Sequence, residues 1–160
     1  MTISVGDRIP ETTLVKATPD GPEQVSTTAF FAGRTVALFA VPGAFTPTCS
    51  NNHLPGFIAK HPELTARGVD EVACVSVNDA FVMSAWSKAS DAGPITMLAD
   101  GNADFARALG LEVDSSRFGM GTRSKRYAML VQDGIVKSLH VEAPGEFKVS
   151  SADHLLSTMD

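Results

Sequence analysis

Cysteine occurs only twice among 160 residues, and tyrosine and tryptophan once each. Two cysteines cannot form a disulfide framework. That excludes the small domains stapled covalently for secretion and points to a reducing compartment with reactive or buried thiols. Charge is also sparse: 19% of residues are charged, 13 Lys and Arg stand against 18 Asp and Glu, and the net charge is −5. With a pI near 5.3, the chain lacks the basic excess that nucleic acid or an anionic membrane surface selects for. No apolar run approaches the roughly 18 residues of a membrane span. The first residues show no charged segment, apolar core and small-residue cleavage site of a secretory signal. The expected location is cytoplasmic, with a removed transit peptide left open.

What is present suits a globular chain: 44% hydrophobic residues and no repeat or low-complexity tract. The length predicts one domain over residues 1–160, large enough to fold without metal or disulfide staples. Strand and helix patterns alternate. An edge strand is expected over 12–17, followed by a Pro-Asp-Gly turn, and a buried central strand over 35–41. A helix starting at Cys49 should kink at Pro55, which lacks a backbone donor. A second buried strand is expected over 72–77, then a helix over 80–89 with Phe81, Val82, Ala85 and Trp86 as its apolar face. A short strand at 95–98 and a helix at 102–109 follow. Residues 127–132 and 135–141 read as a hairpin around Asp133-Gly134, the strongest turn signal in the chain. A last helix starts near Ser151. The pattern predicts an α/β fold with a mixed sheet covered on both faces.

The chemistry concentrates in Pro42-Gly43-Ala44-Phe45-Thr46-Pro47-Thr48-Cys49. These eight residues follow a buried strand and lead into Ser50-Asn51-Asn52-His53-Leu54, which can open a helix. A thiol at a helix start faces outward-pointing N–H groups and the positive end of the helix dipole. Such a setting favours thiolate, so Cys49 reads as a nucleophile rather than a packing residue. His53, four residues on, shares its helix face. That permits a Cys-His hydrolase pair, or with His61 part of a metal set. A hydrolase also needs an orienting Asn or Asp, and a metal needs three or four ligands. His53 therefore reads as lining a contact surface, with no metal site. Cys74, among small apolar residues in mid-strand, reads as an inert packed thiol. Phe45, Phe81 and Trp86 are large groups near expected loop surfaces and form a candidate pairing face.

Pro-x-x-x-Thr-x-x-Cys after a buried strand resembles the peroxidatic signature of the peroxiredoxins. With His53-Leu54-Pro55-Gly56-Phe57 it is similar to their type II, peroxiredoxin-5-like, subfamily. Further segments match in order over roughly residues 3–158: Cys74 to Asp79, Trp86, Leu98-Ala99-Asp100, Lys125 to Met129, and Gln132 to Val136. The resemblance implies a single thioredoxin-like (redoxin) domain, with a central mixed β-sheet flanked by helices and an N-terminal extension. It also implies a thiol peroxidase that reduces hydrogen peroxide and organic hydroperoxides through a sulfenic acid on Cys49. Thr46 would bridge peroxide and sulfur, and Pro42 would shield the sulfur. Arg126, selected over Arg117, Arg123 and Lys125 by the motif alone, would supply the fixed cation. Gly43, Phe45, Thr48 and Met120 would border the substrate pocket. Cys74 matches a position that resolves the sulfenate in some members. The segment 147–151, where others carry a resolving cysteine, has none. An external thiol is then expected, glutathione with glutaredoxin first and thioredoxin second, with no cofactor and a homodimeric assembly. The alternative is a thiol-based redox sensor or chaperone-like binding module without efficient turnover.

Overall fold

In the computed structural model, which describes residues 2–159, the first element is a hairpin of β1 (Thr13–Thr18) and β2 (Gly21–Ser26), followed by a short α1 (Thr27–Phe31). Then come β3 (Thr35–Val41), α2 (Leu54–Ala66), β4 (Glu71–Ser76), α3 (Ala80–Ala89), β5 (Thr96–Ala99) and α4 (Asp104–Leu109). A small pair, β6 (Glu112–Asp114) and β7 (Thr122–Ser124), precedes β8 (Tyr127–Gln132), β9 (Ile135–Val141) and α5 (Ala152–Thr158). The main sheet runs β2-β1-β5-β4-β3-β8-β9. Strands β3, β4 and β5 are mutually parallel, and β1, β8 and β9 join antiparallel. This is a thioredoxin-like α/β fold.

Alternation along the strands divides the core in two. Phe39, Cys74 and Met97 face Phe57 and Leu64 of α2 and Trp86 of α3. Leu38, Ala73 and Leu98 face Phe31 of α1 and Phe105 and Leu109 of α4. Strands buried on both faces explain the near-continuous apolar runs at 35–41 and 71–76. In the β8–β9 turn, Asp133 and Gly134 adopt φ values of +49° and +78°, as the two-residue turn requires.

Several elements depart from expectation, each for a physical reason. Strand β1 is not the edge, because β2 pairs outside it, Ala17 opposite Pro22. The Gly-Pro start of β2 hides a strand that an edge tolerates, since the missing donor costs no ladder bond there. The expected kink at Pro55 takes another form. Residues 47–48 are helical, Cys49–His53 form a wider π turn, and α2 begins with Pro55 in its first turn. A π turn relieves the clash between the proline ring and the preceding carbonyls. In α3 the buried residues are Ala80, Met83 and Trp86. Phe81 is 73% exposed and Ala85 is also exposed, so the apolar stripe is rotated from the expected phase.

Candidate active site

The site forms where the C-terminal ends of β3 and β4 meet the start of β8. Strand β3 stops at Pro42, and the next residues make a tight turn. The Ala44 N–H donates to Asn78 Oδ1 at 3.0 Å, so the loop after β4 braces this turn. Phe45 lies at φ +66°, a left-handed conformation that a bulky side chain rarely adopts. A Cβ on Gly43 would come within 3.3 Å of Arg123 Nη1 and of Thr46 Cγ2, so glycine permits this close packing. Arg123 in turn donates to the carbonyls of Met120 and Val77, both at 2.9 Å. It clips the β6–β7 segment against the end of β4.

Cys49 Sγ lies 2.8 Å from Thr46 Oγ1 and 3.1 Å from Arg126 Nη2. Thr46 Oγ1 is also 2.7 Å from the Gly43 carbonyl. A hydroxyl has one proton, so carbonyl and sulfur compete for it while its lone pairs stay open to another donor. Arg126 offers a cation that does not deprotonate and several N–H groups in fixed geometry. Arg126 and Cys49 are thus brought together across 77 residues of chain, with Thr46 on the same sulfur and Pro42 bordering the same cleft. The other cations are occupied differently: Arg117 lies over the Phe118 ring, Arg123 clips the loop, and Lys125 is exposed. The sulfur is fully buried. A cleft of about 700 Å³ opens beside it, bordered by Pro42, Thr46, Thr48, Met120, Lys125 and Arg126, with Glu142 to Glu146 on its far side. Gly43 and Phe45 do not line it. Phe45 turns outward, 52% exposed, with its ring 6.5 Å from that of Trp86.

His53 does not line a contact surface. It is wholly buried, with ring centroids 4.9 Å from Phe39 and 5.1 Å from Phe147. Its Nδ1 is 2.9 Å from Arg126 Nη1, and its Nε2 is 2.9 Å from the Ser150 carbonyl. Arginine can only donate, so Nδ1 accepts and Nε2 carries the proton donated to Ser150. Burial first, then the Arg126 charge, pushes its pKa down to about 3, against weaker opposing effects of Ser150 and Glu142. A neutral imidazole with both nitrogens engaged has no lone pair left to take a proton from Cys49, which removes the hydrolase reading. Trp86 is also fully buried. Its Nε1–H donates to Ser50 Oγ at 3.0 Å, fixing the π turn behind the thiol.

Cys74 pairs with Phe39 and Met97 in mid-sheet. It is a free, buried thiol, as is Cys49. Burial pushes its pKa up, the nearby Cys49 adds to this, and Arg126 opposes it. Among the described residues, no group of three or more His, Cys, Asp or Glu is placed to hold a metal ion, and no helix is long and apolar enough to cross a membrane. A smaller cavity of about 300 Å³ beside β1 and the start of α3 carries Asp79, Asp100, Asp104 and the exposed Phe81, but none of the candidate catalytic residues.

Sequence reasoning missed Asn78 and Glu142 and misplaced His53. The four-residue spacing from Cys49 was a usable signal for His53. The partner of Asn78 arrives through the pairing of β3 with β4, 34 residues away, and the amides that meet Glu142 lie six to eight residues on, in a loop with no periodic pattern to mark them.

The Redoxin family matches residues 4–156. Peroxiredoxin-2E-2, chloroplastic, of Oryza sativa is 53% identical over 164 residues, covering 99% of this chain and 73% of that protein. Peroxiredoxin-2B of Arabidopsis thaliana is 47% identical over 161 residues, covering 98% of each. Reduced Prx3 of Vibrio vulnificus, solved in complex with H2O2, superposes with a TM-score of 0.96 at 52% identity. The match covers 99% of this chain and all of that one.

Proposed function

This chain belongs to the redoxin family and within it to the peroxiredoxins, and we propose that it runs its thiol peroxidase cycle on Cys49 with an external thiol as reductant. The Cys49 thiolate attacks one oxygen of the hydroperoxide in line with the O–O bond. A sulfur–oxygen bond forms as that bond breaks. Cys49 becomes sulfenic acid, and the departing oxygen leaves as alkoxide or hydroxide and takes up a proton. Arg126 and Thr46 hold the two oxygens and oppose the charge that develops on the leaving one. Pro42 limits access to the sulfur and so to overoxidation. A thiol then attacks the sulfenic acid, giving a mixed disulfide and water. A second thiol releases Cys49 and carries away the disulfide. The scheme needs no bound metal or organic cofactor.

The observation that carries this reading is the pair of contacts on one sulfur, Thr46 Oγ1 at 2.8 Å and Arg126 Nη2 at 3.1 Å. Substrates are hydrogen peroxide and organic hydroperoxides, which a cleft of about 700 Å³ can admit. The reductant is glutathione with glutaredoxin, in preference to thioredoxin. Cys74 supports an external reductant of either kind over internal resolution, because a mid-strand thiol whose pKa burial raises is a slow attacker. Two free thiols and an acidic composition suit a reducing, cytoplasmic setting. The exposed Phe45 and Phe81 suit a homodimer face. Trp86, buried in its own core, adds nothing to that face.

Mass spectrometry after one equivalent of peroxide, with and without glutathione, tests the cycle. The expected species are Cys49 sulfenic acid and a glutathione adduct at Cys49, both absent in Cys49→Ser, together with loss of peroxide turnover. A Cys49–Cys74 disulfide as the main product would overturn the external route.

A further inference from the structure

The segment following β9 carries a carboxylate with an unusual set of partners. Glu142 is 7% exposed, and a single oxygen, Oε2, accepts from the N–H groups of Lys148, Val149 and Ser150, each at 2.8 Å. The Ser150 hydroxyl adds a fourth bond at 2.7 Å. Three successive amides converging on one anion form a nest, filled here by the chain's own side chain. Burial alone would raise the pKa of this carboxyl, but the bonds from Ser150, Lys148 and Val149 outweigh it and leave it below the usual carboxylate range. The closure fixes a loop from Glu142 to Ser150. It also sets where the Ser150 carbonyl points.

That carbonyl accepts from His53 Nε2 at 2.9 Å, and His53 Nδ1 accepts from Arg126 Nη1 at 2.9 Å. The other arm of the same guanidinium, Nη2, donates to Cys49 Sγ. The Glu142 N–H also donates to the Arg126 carbonyl at 2.9 Å, tying β9 to the residue it serves. Phe147, within the closed loop, places its ring 6.0 Å below the Arg126 guanidinium.

We propose that Glu142 is a positioning residue for Arg126, acting through the 148–150 amides, the Ser150 carbonyl and His53 to aim the guanidinium at the reacting oxygens. A guanidinium fork is planar. Fixing Nη1 against His53 therefore fixes the direction of the Nη2 donors, which is what charge stabilisation at a developing anion requires. Without the Glu142 closure, the 147–150 loop loses its anchor and His53 loses the acceptor that sets its ring orientation. The inference rests on the peroxidase reading above.

The test is a double-mutant cycle on the rate of Cys49 oxidation, followed by stopped-flow fluorescence of the single tryptophan, Trp86. Wild-type Cys49 that does not react with peroxide would overturn the peroxidase reading itself. Given reaction, Glu142→Ala should slow oxidation by about tenfold or more, the scale of a small misplacement of a catalytic group. Glu142→Gln, which keeps a carbonyl acceptor for the amides, should recover most of that loss. His53→Phe keeps the ring but removes both hydrogen bonds and should slow oxidation similarly. In the combined His53→Phe/Glu142→Ala protein the rate should be no lower than in His53→Phe alone, because both break one relay. A wild-type rate in Glu142→Ala, or effects that multiply in the double variant, would overturn the proposal. If Glu142→Ala does not fold, Glu142→Asp, whose carboxylate falls one methylene short of the amides, completes the same cycle with the same expected non-additivity.

Discussion

The two cysteines share a core cluster and are equally inaccessible, both fully buried, yet their surroundings differ in kind. Cys49 sits at the start of a π turn with a hydroxyl at 2.8 Å and a guanidinium at 3.1 Å. Cys74 sits in the middle of β4, and no hydrogen bond reaches its sulfur among the described residues. Burial removes water from both, but only at Cys49 is water replaced by fixed donors. A buried thiol with no replacement behaves as a small hydrophobe. A buried thiol facing a permanent cation and a hydroxyl can support charge. Accessibility therefore does not separate the proposed nucleophile from the packed thiol. Preorganised polarity does.

The sharpest way to break the contrast is to remove its cation. Arg126→Ala should slow Cys49 oxidation by about a hundredfold, on the order of 3 kcal/mol, as loss of one preorganised donor typically does. An unchanged stopped-flow rate would transfer the role to another arginine.

A smaller effect comes from the imidazole behind that cation. The His53 pKa is about 3 in the folded chain, well below its ordinary value near 6.5. The unfolded chain therefore binds the extra proton between those values, and stability falls as pH drops through that window. Between pH 7.5 and 5 the loss should be about 2 kcal/mol, read from chemical denaturation midpoints. Arg126 and Glu142 are the charged groups facing this ring. Glu142, whose pKa is lowered in the folded chain, adds a slope of the same sign, but mainly below the ordinary carboxylate value of about 4.3 and so beneath that range. His53→Phe should flatten the dependence, and a slope unchanged in that variant would assign it elsewhere.

The smallest effect is expected at the other thiol. Cys74→Ser should leave glutaredoxin-supported turnover intact while lowering stability by about 1 kcal/mol, the cost of a buried hydroxyl without a partner. If turnover stops with every reductant, Cys74 resolves the sulfenate and is not an inert packed thiol.

Sequence by itself determined the local part of this protein. The Pro42–Cys49 run, the buried strand before it and the helical residues after it are set by neighbours within a few positions. So are the Asp133-Gly134 turn and the alternation of strand and helix. These are consequences of backbone sterics, missing donors and hydrophobic period. Even within this local reach the phase of α3 and the π turn at Cys49–His53 escaped, because core packing chose the rotation and a proline chose the widening.

Tertiary structure decided which arginine meets the sulfur, since Arg117, Arg123 and Arg126 are alike in composition and only β8's place beside β3 separates them. It also decided that His53 faces inward toward Ser150, 97 residues away, and that Glu142 fills the nest at 148–150. The first two are hydrogen bonds closed across the fold, formed only when segments distant in sequence have taken neighbouring places; the Glu142 bonds span six to eight residues and close when the chain after β9 folds back on itself. Periodicity and propensity carry information over a turn or two of chain. The direction in which a charged side chain finds its partner is carried by topology.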